Sequence, residues 1–322
     1  MLEDYGAGVM RARGALLYAV DGPIADGLMQ AAVTEVIVDP DGSVWYDMLQ
    51  GSLEERFPAG TISKARLVGI INGIAGLLGK KITDGVLQGE LPLDGSRIQA
   101  WLQPIAIDGP SLVIRKHRKQ GVAGWPALTL DDYDLSAAHR TVLEHITRER
   151  LNLLIVGSTA SGKTTFAGAF LNEISRIYPH DRVVTIEDTA ELYCVSPSRL
   201  QLHASDRVTL RDLVRTAMRA RPDRLVIGEV RGPEAIDMIM GMNTGHPGFS
   251  TVHGGSYEGG LTRIRQLCRL SGEDTIAADM IADAIQYVLL MRRVPAGPRT
   301  VAGIVKVCGY RDDRFQLEMV AA

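Results

Sequence analysis

The chain has 322 residues, 46% hydrophobic and 23% charged, with a formal net charge of −3. That length suits two domains better than one small core, and the slightly acidic balance argues against a protein that coats nucleic acid. No apolar run reaches the roughly 18–20 residues that span a bilayer, and the acidic start Met1-Leu2-Glu3-Asp4-Tyr5 lacks a signal-peptide layout. Cys194, Cys268 and Cys308 are scattered with no C-x-x-C pair. They read as reduced cytosolic thiols packed as small hydrophobes, not as a zinc site or disulfide framework.

Val33–Val38 alternates and ends in Asp39-Pro40-Asp41-Gly42, and Ser43-Val44-Trp45-Tyr46 follows, so a β-hairpin is expected. Lys64 to Leu78 reads as a helix with Leu67, Ile70, Ile71, Ile74, Leu77 and Leu78 on one stripe. Its other face is rich in Gly and poor in Lys and Arg, which favours core packing over a membrane surface. Strand-like runs recur at Arg97–Leu102 and Ser111–Arg115. Residues 1–115 therefore read as a small N-terminal α+β domain. Residues 116–134 hold Lys116-His117-Arg118-Lys119, then Gly121, Gly124, Pro126 and Asp131-Asp132, and read as a linker. From 135 to 322 strands alternate with helices, the pattern of an α/β parallel sheet. Two alternating runs around Tyr310-Arg311-Asp312-Asp313 predict a terminal hairpin.

Residues 157–164 read Gly157-Ser158-Thr159-Ala160-Ser161-Gly162-Lys163-Thr164, with Thr165 next. This is a phosphate-binding loop, G-x-x-x-x-G-K-[ST]. The glycines let successive N–H groups turn inward onto phosphate oxygens. Lys163 brings a positive charge to the β- and γ-phosphates, and the Thr164 hydroxyl suits Mg²⁺. An apolar run, Leu151 to Val156, precedes the loop, and Lys163–Ile177 reads as the following helix, whose N-terminus also favours anions.

Three further apolar runs end in polar residues: Arg182–Ile186 in Glu187-Asp188, Arg224–Gly228 in Glu229, and Phe249–Val252 in His253. Open α/β sheets bind ligands outside such strand ends. Glu229 reads as the group that orients the attacking water, with a surface ion pair as the plain alternative. Gly228 stands where many phosphate-loop proteins place an Asp for Mg²⁺. Glu187 and Asp188 then become the candidate metal supports through water, or else cap the following turn. His253 contacts the γ-phosphate or is structural, and His246 positions a loop or fills a turn. Arg207, Arg211, Arg215 and Arg219 recur every fourth residue, and Arg221, Arg224 and Arg231 follow. The stripe is a solvated helix face or a subunit boundary that reaches a neighbour's phosphate. The Arg115–Lys119 cluster meets phosphate, nucleic acid or water.

Together these motifs resemble the ATPases of type II and type IV secretion systems, most of all the conjugal-transfer branch. The segments that carry the resemblance are Val33–Gly42, Gly89–Arg97, the phosphate loop, Ile186–Glu191, Arg221–Gly232 and Asn243–Gly248. The resemblance implies a RecA-like C-terminal ATPase domain, a linker and an N-terminal domain, assembled as a homohexamer with ATP between the domains and Mg²⁺ as cofactor. It makes Glu187-Asp188 the Asp box, Gly228-Glu229 the Walker B site and His253 the His box. It brings Arg97 and Arg115 to the phosphates. It places the ring at the cytoplasmic face of the inner membrane, with inner-membrane secretion components and other secretion ATPases as partners. There it powers pilus assembly or transfer of DNA or protein. A pilus or type II secretion ATPase, and a translocase gripping single strands directly, are the alternatives. The low aromatic content, 5%, speaks against stacking platforms for single strands. Gly254-Gly255-Ser256 departs from the family's usual Ala and Asn after the histidine, and the tetracysteine metal module of many type II enzymes is absent.

Overall fold

The computed structural model describes residues 20, 22–50, 53–91, 95–116, 128–159, 161–205, 207–272, 278–293 and 299–322. It divides into two compact units, Met1–Lys119 and Gln120–Ala322. In the first, strands β1 (Val33–Val38), β2 (Ser43–Gln50), β3 (Leu53–Thr61), β4 (Val86–Glu90), β5 (Arg97–Trp101) and β6 (Ser111–Arg115) form one antiparallel sheet, in the order β3-β2-β1-β6-β5-β4. The expected β1–β2 hairpin is present. Its turn closes through Gly42 N–H donating to Asp39 O at 2.9 Å and Ser43 N–H to the Asp41 carboxylate at 2.8 Å.

Alternation decides which face of this sheet is covered. Val36, Val38, Ile98, Ala100, Leu112 and Ile114 are buried, while their strand neighbours are not. Helices α1 (Gly22–Met29) and α2 (Lys64–Leu77) supply the other half of that core. Leu67, Ile70, Ile71 and Ile74 of α2 are fully buried, each contributing about 1.5–3 kcal/mol. The core reading of this helix therefore holds. No helix of the described residues is long and apolar enough to cross a membrane.

The other face of the same sheet carries a row of charges, one from each strand. Glu90, Arg97, Arg115, Glu35, Asp47 and Arg56 stand opposite one another in register from β4 to β3. Arg56 closes bidentately on Asp47 at 2.6 and 2.9 Å. Arg115 lies 3.7 Å from Glu35. Arg97 and Arg115 are direct cross-strand neighbours, an arrangement that like charges ordinarily disfavour.

The second unit contains α3 (Ala137–Arg148), β7 (Leu153–Gly157), α4 (Lys163–Ile177), β8 (Val183–Glu187), β9 (Arg199–His203), α5 (Leu210–Ala217), β10 (Arg224–Ile227) and α6 (Glu234–Asn243). It continues with β11 (Gly248–His253), α7 (Tyr257–Arg269), α8 (Ala278–Ala284), β12 (Tyr287–Arg293), β13 (Arg299–Arg311) and β14 (Arg314–Ala321). The eight strands order as β14-β13-β12-β7-β11-β10-β8-β9. From β12 to β9 neighbours run parallel, and β13 and β14 add an antiparallel edge. Both faces are covered, so β7 reads as an unbroken apolar run. Leu153 and Ile155 meet Phe166, Phe170 and Ile174 of α4, while Leu154 and Val156 meet the core of α5 to α8.

Three expectations change. The segment assigned as a linker is partly structural at both ends. Lys116 N–H continues the ladder to Thr34 O at 2.8 Å, and its ammonium bonds the carbonyl of Gly27 in the last turn of α1 at 3.2 Å, where a cation is favoured. Leu130, in a 3₁₀ turn capped by Thr129, and Leu135 pack into the second unit's core. Residues 117–127 of that segment lie outside the described residues. The terminal hairpin is present, but β13 also pairs with β12 and so extends the parallel sheet. Asp312 and Asp313 turn it with φ of 53° and 58°, as a two-residue type I′ turn requires. Cys194 and Cys268 are buried hydrophobes, and burial pushes the Cys268 thiol up to about 12, whereas Cys308 is exposed.

Candidate nucleotide-binding site

Strands β7, β11, β10 and β8 are parallel neighbours, so their C-terminal ends share one edge of the sheet. That edge gathers the sequence-predicted residues of this unit: the phosphate loop after β7, His253 at the end of β11, Glu229 just past β10 and Glu187-Asp188 at the end of β8. His253 stands in register with Gly157. The loop turns into α4 at Gly162, whose φ of 88° is open to glycine and strained for other residues. Phe166 N–H donates to Gly162 O at 2.8 Å, and the buried rings of Phe166 and Phe170 fix the helix behind the loop. The helix therefore presents its free N–H groups at a set place. Ser158, Thr159, Ser161, Gly162, Lys163, Thr164 and Thr165 follow the expected order, and Ala160 lies outside the described residues.

Lys163 is buried, and its ammonium donates to Ser158 O at 3.0 Å and to Nδ1 of His253 at 3.2 Å. Both acceptors are uncharged. Burial pushes its pKa down, against the pull of Glu229. A buried ammonium with neutral acceptors is stabilised when an anion arrives, as a phosphate does. Because the ammonium can only donate, His253 accepts at Nδ1 and carries its proton on Nε2. Burial, then the Lys163 charge, lowers the His253 pKa and keeps the ring neutral.

Nε2 of His253 lies 2.8 Å from Oε1 of Glu229, a close contact without hydrogen-bond alignment, and that buried oxygen has no aligned donor. The other oxygen, Oε2, accepts from Arg231 at 2.7 Å. Burial alone raises the Glu229 pKa. The Arg231 bond and charge, with the Lys163 charge, outweigh it and hold the carboxyl below its ordinary value. Glu229 is thus an ionised carboxylate with one oxygen tethered by Arg231 and one beside His253.

Glu187 sits behind this edge. Its Oε1 accepts from the N–H groups of Glu191 and Leu192, both at 2.9 Å, so it holds the turn after β8. Its side chain fills the space beside Gly228. A Cβ there would lie 2.8 Å from Glu187 Cγ and 3.0 Å from Oε1. The glycine before Glu229 is therefore room for Glu187. Asp188 is half exposed and accepts from Arg231 at 3.2 Å.

The hard oxygens available for Mg²⁺ are the Thr164 hydroxyl at the start of α4 and the Asp188 carboxylate. They fit an ion that takes one or two protein oxygens and leaves the rest to phosphates and water. Glu187 fits less well, with an oxygen already committed to the backbone. Among the described residues no group of three or more His, Cys, Asp or Glu forms a metal cage.

The arginine stripe does not survive as one unit. Arg211 and Arg215 both bond the buried carboxylate of Asp237 at 2.7 Å, and α5 ends at Ala217. Those two arginines tie α5 to α6 within the chain, a role that neither reading of the stripe named. Arg224 is buried on Asp181 at 2.9 Å and is structural. Arg97 and Arg115 lie in the first unit as strand neighbours. Arg231 was visible in the sequence only as one more arginine, and its spacing from Glu229 gave no sign that they pair.

The family model described as "Type II/IV secretion system protein" matches residues 23–306. The chain belongs to that family. The conjugal transfer protein TrbB of Rhizobium radiobacter is 33% identical to this secretion-family chain over 301 residues, covering 91% of it and 90% of the relative. The ATPase DotB of Legionella pneumophila superposes with a TM-score of 0.63 at 19% identity, over 89% of this chain and 81% of that one. The ADP-bound pilus retraction motor PilT does so with 0.62 at 17%, over 92% and 82%. At those identities the two structures speak to the fold. This family member shares their mixed α/β build.

Proposed function

We propose that this chain is the ATP-hydrolysing motor of a conjugative type IV secretion system. It works as a homohexamer of RecA-like ATPase domains at the cytoplasmic face of the inner membrane, with secretion-channel components and other secretion ATPases as partners. The observation that carries the reading is the contact series Lys163–His253–Glu229 at the ends of adjacent parallel strands. The TrbB relative, matched over nearly its full length, points to the conjugative branch.

In this reading the loop N–H groups and Lys163 seat the β- and γ-phosphates. Thr164 and Asp188 would hold Mg²⁺, which would neutralise phosphate charge. Oε1 of Glu229 orients a water in line with the γ-phosphate, where positioning and charge supply most of the acceleration. His253 lies between the lysine and the glutamate, so it senses whether the γ-phosphate has drawn Lys163 away. Arg97 and Arg115 complete the site in the assembled ring. Their like-charged pairing is the pattern an anionic ligand would relieve.

Lys163→Ala removes the cation that meets the phosphates. It is expected to abolish both ATP binding by calorimetry and phosphate release. Undiminished ATP affinity in a folded Lys163→Ala chain would remove the loop from the account.

A further inference from the structure

The turn after β10 is held more firmly than one water-orienting carboxylate requires. Val230 N–H donates across to Thr251 O at 3.0 Å, and the Thr251 hydroxyl returns a bond to Gly228 O at 2.8 Å. The N–H groups of Arg231 and Gly232 both donate to Oε1 of Glu234 at 2.7 Å. Glu234 opens α6 and is buried. The backbone on both sides of Arg231 is thus fixed before its side chain is considered.

That side chain then spans two carboxylates. One terminal nitrogen donates to Oε2 of Glu229 at 2.7 Å, and the other reaches Oδ2 of Asp188 at 3.2 Å. The guanidinium is planar with its donors splayed, so it can serve both acids at once, which a point-charge ammonium cannot do in the same geometry. Around this core stand Lys163 and His253 on the Glu229 side, and Glu191 adds its field to Arg231. Tethering Oε2 leaves Oε1 buried, unaligned with any donor and 2.8 Å from Nε2 of His253.

We infer that Arg231 is a positioning residue for hydrolysis: braced by Asp188, it grips Oε2 of Glu229 and so fixes Oε1 where the attacking water must stand. The inference rests on the reading of Glu229 as the water-orienting group. It gives Asp188 a second task, the orientation of the guanidinium, beside any oxygen it offers to Mg²⁺. The glutamate is aimed by a side chain two residues further along, which the glutamate's own turn carries.

The test is steady-state phosphate release by the full chain with Mg-ATP, comparing the parent with Arg231→Gln, Arg231→Lys, Asp188→Asn, and Glu229→Gln with and without Arg231→Gln. A misplaced reacting group can cost on the order of 10²-fold. Arg231→Gln is expected to lose about that factor in kcat while KM for ATP changes little. Arg231→Lys recovers part of the loss, since it can reach one acid. Asp188→Asn causes a smaller loss in kcat. In the Glu229→Gln background, followed as the residual single-turnover rate at high enzyme concentration, Arg231→Gln adds no further loss, because there is no base left to aim. Thermal midpoints accompany each variant. If Arg231→Gln is unfolded, Arg231→Lys and Asp188→Asn carry the decision. An active parent with an equally fast, folded Arg231→Gln variant overturns the inference alone. So does a rise in KM with kcat unchanged, or an additive loss on Glu229→Gln. A folded parent that hydrolyses no ATP overturns the motor reading and this inference together.

Discussion

In the second unit the charged groups of interest stand in the turns where strands stop, whereas in the first they stand side by side across paired strands. Parallel strands bury both faces, so β7, β8, β10 and β11 are apolar or uncharged along most of their length, with Arg224 at the start of β10 buried on Asp181. Polar chemistry is pushed to the turns at one edge, and each turn is short enough to be read as a motif. The antiparallel sheet of the first unit covers one face with α1 and α2 and leaves the other for Glu90, Arg97, Arg115, Glu35, Asp47 and Arg56. Those residues come from six separate strands, and only register assembles them. A site made of loops is legible as sequence, while a site made of rungs is legible only once the pairing is known.

The contrast can be broken at Gly228. An added methyl group meets a Glu187 side chain that two backbone N–H groups hold in place. Overpacking of this kind costs about 1–3 kcal/mol. Gly228→Ala should lower the unfolding midpoint in denaturant and also turnover, since Glu229 is the next residue. A Gly228→Ala chain with parental stability and turnover would mean that the strand-end turns are looser than described.

A milder effect concerns His139 of α3, which is buried. Its Nδ1 accepts from the Ser136 N–H in a capping box, at 3.3 Å. Burial lowers its pKa, so the ring is neutral in the fold. A histidine with a folded pKa below its unfolded one supports stability above the unfolded value and loses that support as pH falls through the folded value. Thermal midpoints should therefore drop between about pH 7 and 5, given an unfolded histidine near 6.5. His253 is shifted the same way and adds to the slope. His139→Gln keeps a capping acceptor and should flatten the dependence. An unchanged slope in that variant would remove His139 from the explanation.

The smallest effect on stability is expected from the charge row. Replacing Arg97 or Arg115 with Gln removes a like-charge pair, worth about 0.2–1 kcal/mol in either direction. Folding should be nearly indifferent, while phosphate release should fall. Unchanged ATPase activity in both variants would make the row a structural ladder and nothing more.

Much of this was readable from the chain itself. The phosphate loop, the helix Lys163–Ile177, the β1–β2 hairpin and the strand-end positions of Glu187, Glu229 and His253 match their periodicity and punctuation. Other features were hidden for physical reasons. Residues 128–134 are rich in Asp and turn formers, yet Leu130 and Leu135 anchor them in the core, which polarity alone conceals. The arginine stripe looked uniform because spacing cannot show that Asp237 lies behind two of its members. Arg231 differs from its neighbours by what it touches, Glu229 and Asp188, and those partners come from different strands. Gly228 read as a missing metal ligand, and its meaning appeared once Glu187 was found in the space beside it.

The central claim is that a carboxylate at position 229 completes a phosphate site without being needed to fill it. Glu229→Gln measured side by side for Mg-ATP affinity and phosphate release tests it most directly. The account predicts a chain that still binds ATP and releases almost no phosphate. Parental turnover in that variant, or loss of ATP binding in a variant that remains folded, would contradict it.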